Sequence, residues 1–472
     1  MTASDARRDH GGEHAVSSAA HWCPPATDLV RWGSSSRRWF LQAGLSGVAG
    51  LSAAELLRLQ ALGADAGPSS GGSRTPQRKA VILFWLSGGP SHIDLWDPKP
   101  DAPSEIRGPF GTIATKIPGA RFCEHLPKQA AIADKLTVIR SVDCSASNHT
   151  PITMQAGNPL ARRTDDGRDG AGYPSMGSIA ARFKGANHPS LPAFVGLADS
   201  WVSDVWGAGH MGAAYQPVKG SELQGRFALP KGMNADRFGD RAALLAQFDQ
   251  MKSELDTRGT MDSLDRYQQM AVEMVTSGEA RKAFDLDRED PRLRDLYGRD
   301  SLGSKALLAR RLVEAGVTFV LVSGKWGYFD HHGDSVVWKG IERGLKPLIP
   351  RIDGVLPTLI QDLESRGLLD STLVLMMGEF GRSPMINRDH GRDHWTNVMS
   401  MVMAGGGLRH GQIVGATDRK GHGVHERKVT PQDLAATVFH YLGIPLDAHW
   451  TNPQGRPIPI VTEGGRPISE LI

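Results

Sequence analysis

Cysteine is scarce here: Cys23, Cys123 and Cys144 are the three in 472 residues, so no disulfide framework can stand in for a packed core. One-sided charge is missing as well. With 54 basic against 51 acidic residues the formal charge is +3, too near neutrality to imply nucleic acid or an anionic membrane as a partner. No apolar run approaches the ~20 residues that cross a bilayer, and no internal repeat is evident. What is present, 40% hydrophobic and 22% charged residues, describes a globular chain with room for one large α/β domain or two smaller ones.

The N-terminus carries an address. Ser36-Arg-Arg-Trp-Phe-Leu-Gln42 is a twin-arginine sequence, followed by a weakly apolar, Gly- and Ala-rich run from Ala43 to Ala54 and a small-residue cleavage site at Ala64-Asp-Ala66. The expectation is a signal region over residues 1–66, a partnership with the twin-arginine export machinery, no stable membrane anchor, and a periplasmic or extracellular destination. That route carries folded proteins, often with a cofactor already inserted, which favours a metalloprotein. Cleavage would leave Cys123 and Cys144, and their separation alone does not decide whether they pair. Residues 67–79, rich in Gly, Ser and Pro, read as a flexible linker.

The folded domain is expected over 80–472. Ala80-Val-Ile-Leu-Phe-Trp-Leu86, Leu136-Thr-Val-Ile139, Val317-Thr-Phe-Val-Leu-Val322 and Thr372-Leu-Val-Leu-Met-Met377 are short continuous apolar runs bounded by turn residues, the pattern of strands covered on both faces. Helical patterns at Leu307–Gly316 and Ile352–Arg366 lie between them. The alternation predicts an α/β fold: a doubly wound, mostly parallel sheet flanked by helices, with a helical insertion over about 240–285.

Each strand hands over to chemistry at its carboxyl end, where ligands bind in open α/β sheets. After the first come Ser91, His92, Asp94 and Asp97; after the second, Asp143-Cys-Ser-Ala-Ser-Asn-His-Thr-Pro151; after the third, Asp330, His331 and His332; after the fourth, Glu379-Phe-Gly-Arg-Ser-Pro384 and Gly391-Arg-Asp-His-Trp395. Carboxylates and imidazoles in this number suit a divalent cation such as zinc, manganese, calcium or magnesium. A two-metal hydrolytic site needs about six ligands from several loops. The supply is Asp94 or Asp97, Asp330, His332, Glu379, and one or more of Asp389, His390, Asp393 and His394.

Plainer readings stand beside these. Asp97 before Pro98 can simply shape a turn, Glu379 can pair with Arg382, and His394 beside Trp395 can be a packed histidine. Arg382 and Arg392 are planar forks that either grip an anionic ester or hold carboxylates in place. The Ser and Thr residues before Pro151 can be helix caps.

Gly88-Gly-Pro-Ser-His-Ile-Asp-Leu-Trp-Asp-Pro-Lys-Pro100, Asp330-His-His-Gly333, Gly378-Glu-Phe-Gly-Arg382, Gly391-Arg-Asp-His-Trp395, Ala404-Gly-Gly-Gly407 and Asp433-Leu-Ala-Ala-Thr-Val-Phe-His-Tyr-Leu-Gly-Ile444 together resemble the exported domain-of-unknown-function family 1501. That family is similar in fold to the alkaline phosphatase and sulfatase superfamily. The resemblance implies one or two divalent metals held by Asp94, Asp330, His332, Glu379 and His394. His390 would replace an imbidazole that Phe380 displaces from the superfamily's Asp-His pair. Ser145-Ala-Ser-Asn-His-Thr150 resembles the Thr-x-Pro-Asn-His stretch of nucleotide pyrophosphatases, which implies Ser145 as nucleophile beside Asn148, with Ser147 and Thr150 as competitors and Arg382 as an anion ligand. No Cys-x-Pro-Ser-Arg segment is present, against a formylglycine sulfatase. The expected activity is metal-dependent hydrolysis of phosphate or sulfate esters, on an anionic substrate such as a sulfated or phosphorylated glycan. The alternative is a non-catalytic carbohydrate- or surface-binding protein that keeps the fold.

Overall fold

In a computed structural model of the chain, residues 78–161, 172–221 and 279–472 are described. The signal region, nearly all of the linker and most of the expected helical insertion lie outside them. Glu279–Phe284 is a helix at the end of that insertion.

The strand that opens the domain, β1 (Ala80–Trp85), is buried along its whole length. Its apolar residues alternate between two cores, as the period of two demands. Ile82 and Phe84 pack in one with Leu312, Ile352 and Leu359; Val81, Leu83 and Trp85 pack in the other with Ile179, Leu434 and Phe439. A strand apolar on both faces needs helices on both sides, and the doubly wound layering follows.

The other strands of its sheet are β2 (Leu136–Val142), β3 (Phe194–Leu197), β4 (Val218–Lys219), β5 (Phe319–Ser323), β6 (Thr372–Met377), β7 (Met399–Gly405) and β8 (Gln412–Val414). They form an eight-stranded sheet in the order β8-β2-β7-β6-β1-β5-β3-β4. Only β7 runs against its neighbours, β2 and β6; the other pairs are parallel. The carboxyl ends of β1, β2, β5 and β6 therefore share one edge, and β7 starts from it.

Five helices matter to this argument: α1 (Ile152–Ala156), α2 (Met176–Phe183), α3 (Ser301–Ala315), α4 (Lys346–Ser365) and α5 (Pro431–Leu442). Helix α5 begins with a reciprocal cap between Thr430 and Asp433, the Thr-Pro-Gln-Asp signal visible in the sequence. Helix α1, expected to aim its N-terminus at the sheet edge, is barely one turn long, too short for a useful dipole. Cys123 and Cys144 are both buried and unpaired, and burial pushes each thiol up to about 12, so neither is a nucleophile at neutral pH.

Candidate metal centre

The sheet edge works because glycine lets its loops touch. Gly88, just beyond β1, has φ +106, and a Cβ there would sit 2.5 Å from the Asp330 nitrogen; one on Gly89 would sit 2.5 Å from the Phe380 ring. The Gly-Gly pair thus brings the β1 loop against those following β5 and β6. Arg382, fully buried, clamps them. Its Nε donates to Gly89 O at 3.0 Å, its Nη1 to Arg392 O at 3.0 Å, and its Nη2 to Phe329 O at 3.1 Å, to Gly88 O and to Asp330 Oδ1.

On this scaffold His149, Asp330 and His394 converge, each offering a ligand atom, with all three atoms within 4.8 Å of one another. His149 Nε2 lies 3.5 Å from Asp330 Oδ2, and His394 Nε2 lies 3.0 Å from Asp330 Oδ1. His332 adjoins them, its Nε2 3.0 Å from Asp330 Oδ1 and 2.9 Å from His394 Nε2. Behind His149 stands buried Glu379, whose Oε1 faces His149 Nδ1 at 3.0 Å and accepts the Gly88 N–H at 2.8 Å. Phe380 walls the cluster, its ring centroid 4.5 Å from that of His394.

The donor set fits a divalent cation. Metal–nitrogen distances of about 2.0–2.1 Å put tetrahedral neighbours about 3.3 Å apart, close to the spacings above. His332 Nε2 and His394 Nε2 face each other across 2.9 Å, so if they bond to each other one of them presents a lone pair. Glu379 Oε2 is buried with no hydrogen-bond partner among the described residues, and His149 Nε2 has only the 3.5 Å approach of Asp330 Oδ2. With Nδ1–H of a neutral His149 given to Glu379, its Nε2 lone pair is oriented for an ion, the carboxylate–histidine arrangement that raises ligand basicity.

Charge in the cluster is tightly coupled. Burial pulls His149 down, but hydrogen bonds to Asp330 and Glu379 outweigh it and raise it to about 9, so at pH 7 a cation would have to displace the Nε2 proton before that lone pair is free. Burial opposes ionisation of Asp330, yet hydrogen bonds from His149, His394 and Arg382 hold its carboxyl well below the usual range. Burial lowers His394 and, more strongly, takes His331 down to about 4, so His331 is neutral at pH 7.

Of the residues singled out in the sequence, Asp330, His332, Glu379 and His394 come together, with Asp393 at the margin, its Oδ1 3.5 Å from His332 Nδ1. Asp94 does not join them. It is buried against Arg392, which donates from Nε to Oδ2 at 2.7 Å and from Nη2 to Oδ1 at 3.0 Å, and Ser91 Oγ donates to it at 2.6 Å. Asp97 is likewise occupied by Lys99, Arg140 and Thr417. His390 is exposed and sits at φ +60 in a turn, and the imidazole expected from it comes from His149 instead. Asp389 binds Ser335.

Ser145 is exposed, with its N–H turned to Asp143 Oδ1 at 2.9 Å. Asn148 Oδ1 accepts from Thr150 Oγ1 at 2.6 Å, and Ser147 is buried. Arg382 and Arg392 hold carboxylates and carbonyls and are not free to fork onto an anion. His149 was missed because a lone imidazole in a polar turn carries no periodic signal; its place at a strand end, two residues before Pro151, was the clue.

The fold and cluster together define an α/β protein with a candidate metal centre on the carboxyl edge of its sheet. The profile described as "Protein of unknown function (DUF1501)" matches residues 78–472, and the chain belongs to that family. Among curated proteins no sequence matches it. Among solved structures it is similar to the PsFucS1 sulfatase from Pseudoalteromonas sp., with 12% identity over 82% of this chain and 70% of that one and a TM-score of 0.38. It is also similar to the phosphonate monoester hydrolase of Agrobacterium radiobacter, with 13% identity over 83% and 78% and a TM-score of 0.36. No functional argument rests on likenesses of this size.

Proposed function

We propose that the chain is an exported, metal-dependent hydrolase of phosphate or sulfate esters. The observation that carries this reading is the convergence of His149, Asp330 and His394 within 4.8 Å, with His332 beside them and Glu379 orienting His149. His149, Asp330 and His394 would hold a divalent ion, which when bound would supply Lewis acidity toward the ester oxygen. Water would attack phosphorus or sulfur and release its proton to solvent, since Ser145 faces its own turn. The leaving oxygen departs with a proton from His332, which is 30% exposed, so solvent can reprotonate it, and has Asp393 next to its Nδ1. Arg382 holds Asp330 in register, and Phe380 packs against the rings of His149 and His394.

The test is elemental analysis of the purified chain, followed by hydrolysis of aryl phosphate, phosphodiester and aryl sulfate with and without chelator. Stoichiometric metal and chelator-sensitive turnover that Asp330→Ala abolishes are expected; absence of bound metal under conditions that protect it would overturn the reading. A second reading, a non-catalytic carbohydrate- or surface-binding protein that retains the metal, is favoured by one feature. The Arg382 guanidinium, the natural anion fork, is committed to Asp330 and backbone carbonyls. Metal without turnover on any of the three esters would select it.

A further inference from the structure

The loop that follows β5 has two sides. Trp326, 37% exposed, lies toward the metal cluster, its ring centroid 5.1 Å from that of His149. Lys325, Tyr328 and His331 line a separate open depression of about 310 Å³, bordered also by Trp338 and, from α4, Arg351. A volume at the lower end of the range for small-molecule sites suits one ring rather than an extended chain.

The lining states what kind of ring. Lys325 and Arg351 are exposed and have no ion-pair partner among the described residues, so two positive charges on one rim await an anion. Tyr328 and Trp338 stand edge to face, with centroids 5.3 Å apart and planes at 84°, offering aromatic surface to an apolar ring face. The Tyr328 hydroxyl has no hydrogen-bond partner among the described residues and suits a sugar hydroxyl, whereas the Nε1 edge of Trp338 packs over Gly327. The geometry points to a binding site for a single sugar ring bearing an acidic group, a uronate or a sulfate, on the opposite side of the loop from the metal cluster. An aromatic acid would use the cations and the rings but leave the Tyr328 hydroxyl unmet. The inference rests on the ester-hydrolase reading only for what the ring is attached to, in that the sugar would be a remote unit of the same substrate.

Calorimetric titration of the full chain with a uronic acid monosaccharide, a sulfated monosaccharide, the neutral parent sugar and inorganic sulfate tests it. Both acidic sugars are expected to bind about tenfold or more tightly than the neutral sugar and than sulfate alone. The Lys325→Ala/Arg351→Ala double variant should lose that preference. Neither side chain supports the fold, so unchanged melting is expected of it. Asp330→Ala should keep the preference. No binding, equal binding of inorganic sulfate, a preference that survives the double variant, or one lost only in Asp330→Ala would each overturn the assignment. Ester hydrolysis is read separately: binding without turnover removes the hydrolase reading and leaves this site standing.

Discussion

Glu379 Oε1 lies 3.0 Å from His149 Nδ1, and this contact turns a polar loop residue into a metal-ligand candidate. Glu379→Gln should keep the fold and lower metal affinity by about 10–100-fold, as loss of a ligand's orienting carboxylate does. His149→Ala should lower it further. Competition with a graded series of chelators measures both, and wild-type affinity in the two variants would place the metal elsewhere.

Asp94 and Arg392 are each 1% exposed at the side chain and pair at 2.7 Å. Removing one partner strands the other charge in the interior, so Asp94→Ala is expected to cost about 3–5 kcal/mol of stability and no metal per folded chain. Denaturant melts with elemental analysis separate the two. Lost metal in a stable Asp94→Ala protein would restore Asp94 as a ligand.

Asp204 is fully buried, with Oδ2 accepting from Ser323 Oγ at 2.9 Å and Oδ1 unpartnered among the described residues. Burial raises it from 3.8 to about 6. In that window the native state binds more protons than the unfolded one, so this group's contribution is full below pH 3.8 and is lost as pH rises through about 6. Asp204→Asn should flatten that slope and add about 1–3 kcal/mol at pH 7. Chemical denaturation at pH 4, 5, 6 and 7 shows the difference.

Gly88→Ala would place a methyl 2.5 Å from the Asp330 nitrogen at φ +106, whereas Gly119, at φ +77, has nothing within 4 Å. Gly119→Ala should cost only the backbone strain, about 1–2 kcal/mol. Gly88→Ala should cost more and also loosen metal, because Asp330 must move. Equal effects in melting and metal titration would remove Gly88 as the spacer of the site.

Ser145→Ala should leave ester turnover unchanged, since the side chain is exposed and its backbone is held by Asp143. Abolished turnover with intact metal would return Ser145 to the nucleophile's role.

Strands β1, β5 and β6 were legible because a segment buried on both faces must be apolar throughout, and the loop after each could be read directly for Asp330, His332, Glu379 and His394. Asp94, Arg382 and Arg392 were ambiguous for a physical reason. A carboxylate awaiting a metal and one already paired with a buried guanidinium have the same side chain, and only packing tells them apart. Phe380 stands where a ligand was expected and packs against the cluster, and the extra imidazole there, that of His149, comes from a different strand end.

By itself, then, the sequence determined the layers, the order of chemistry along the strand ends and the family motifs, because these follow from local apolar pattern and turn chemistry. Which four or five of a dozen polar side chains share a centre was decided by the tertiary structure alone. That choice depends on strand order, which sets β1 between β5 and β6, and on the glycines at 88 and 89 that let three loops close to hydrogen-bonding distance.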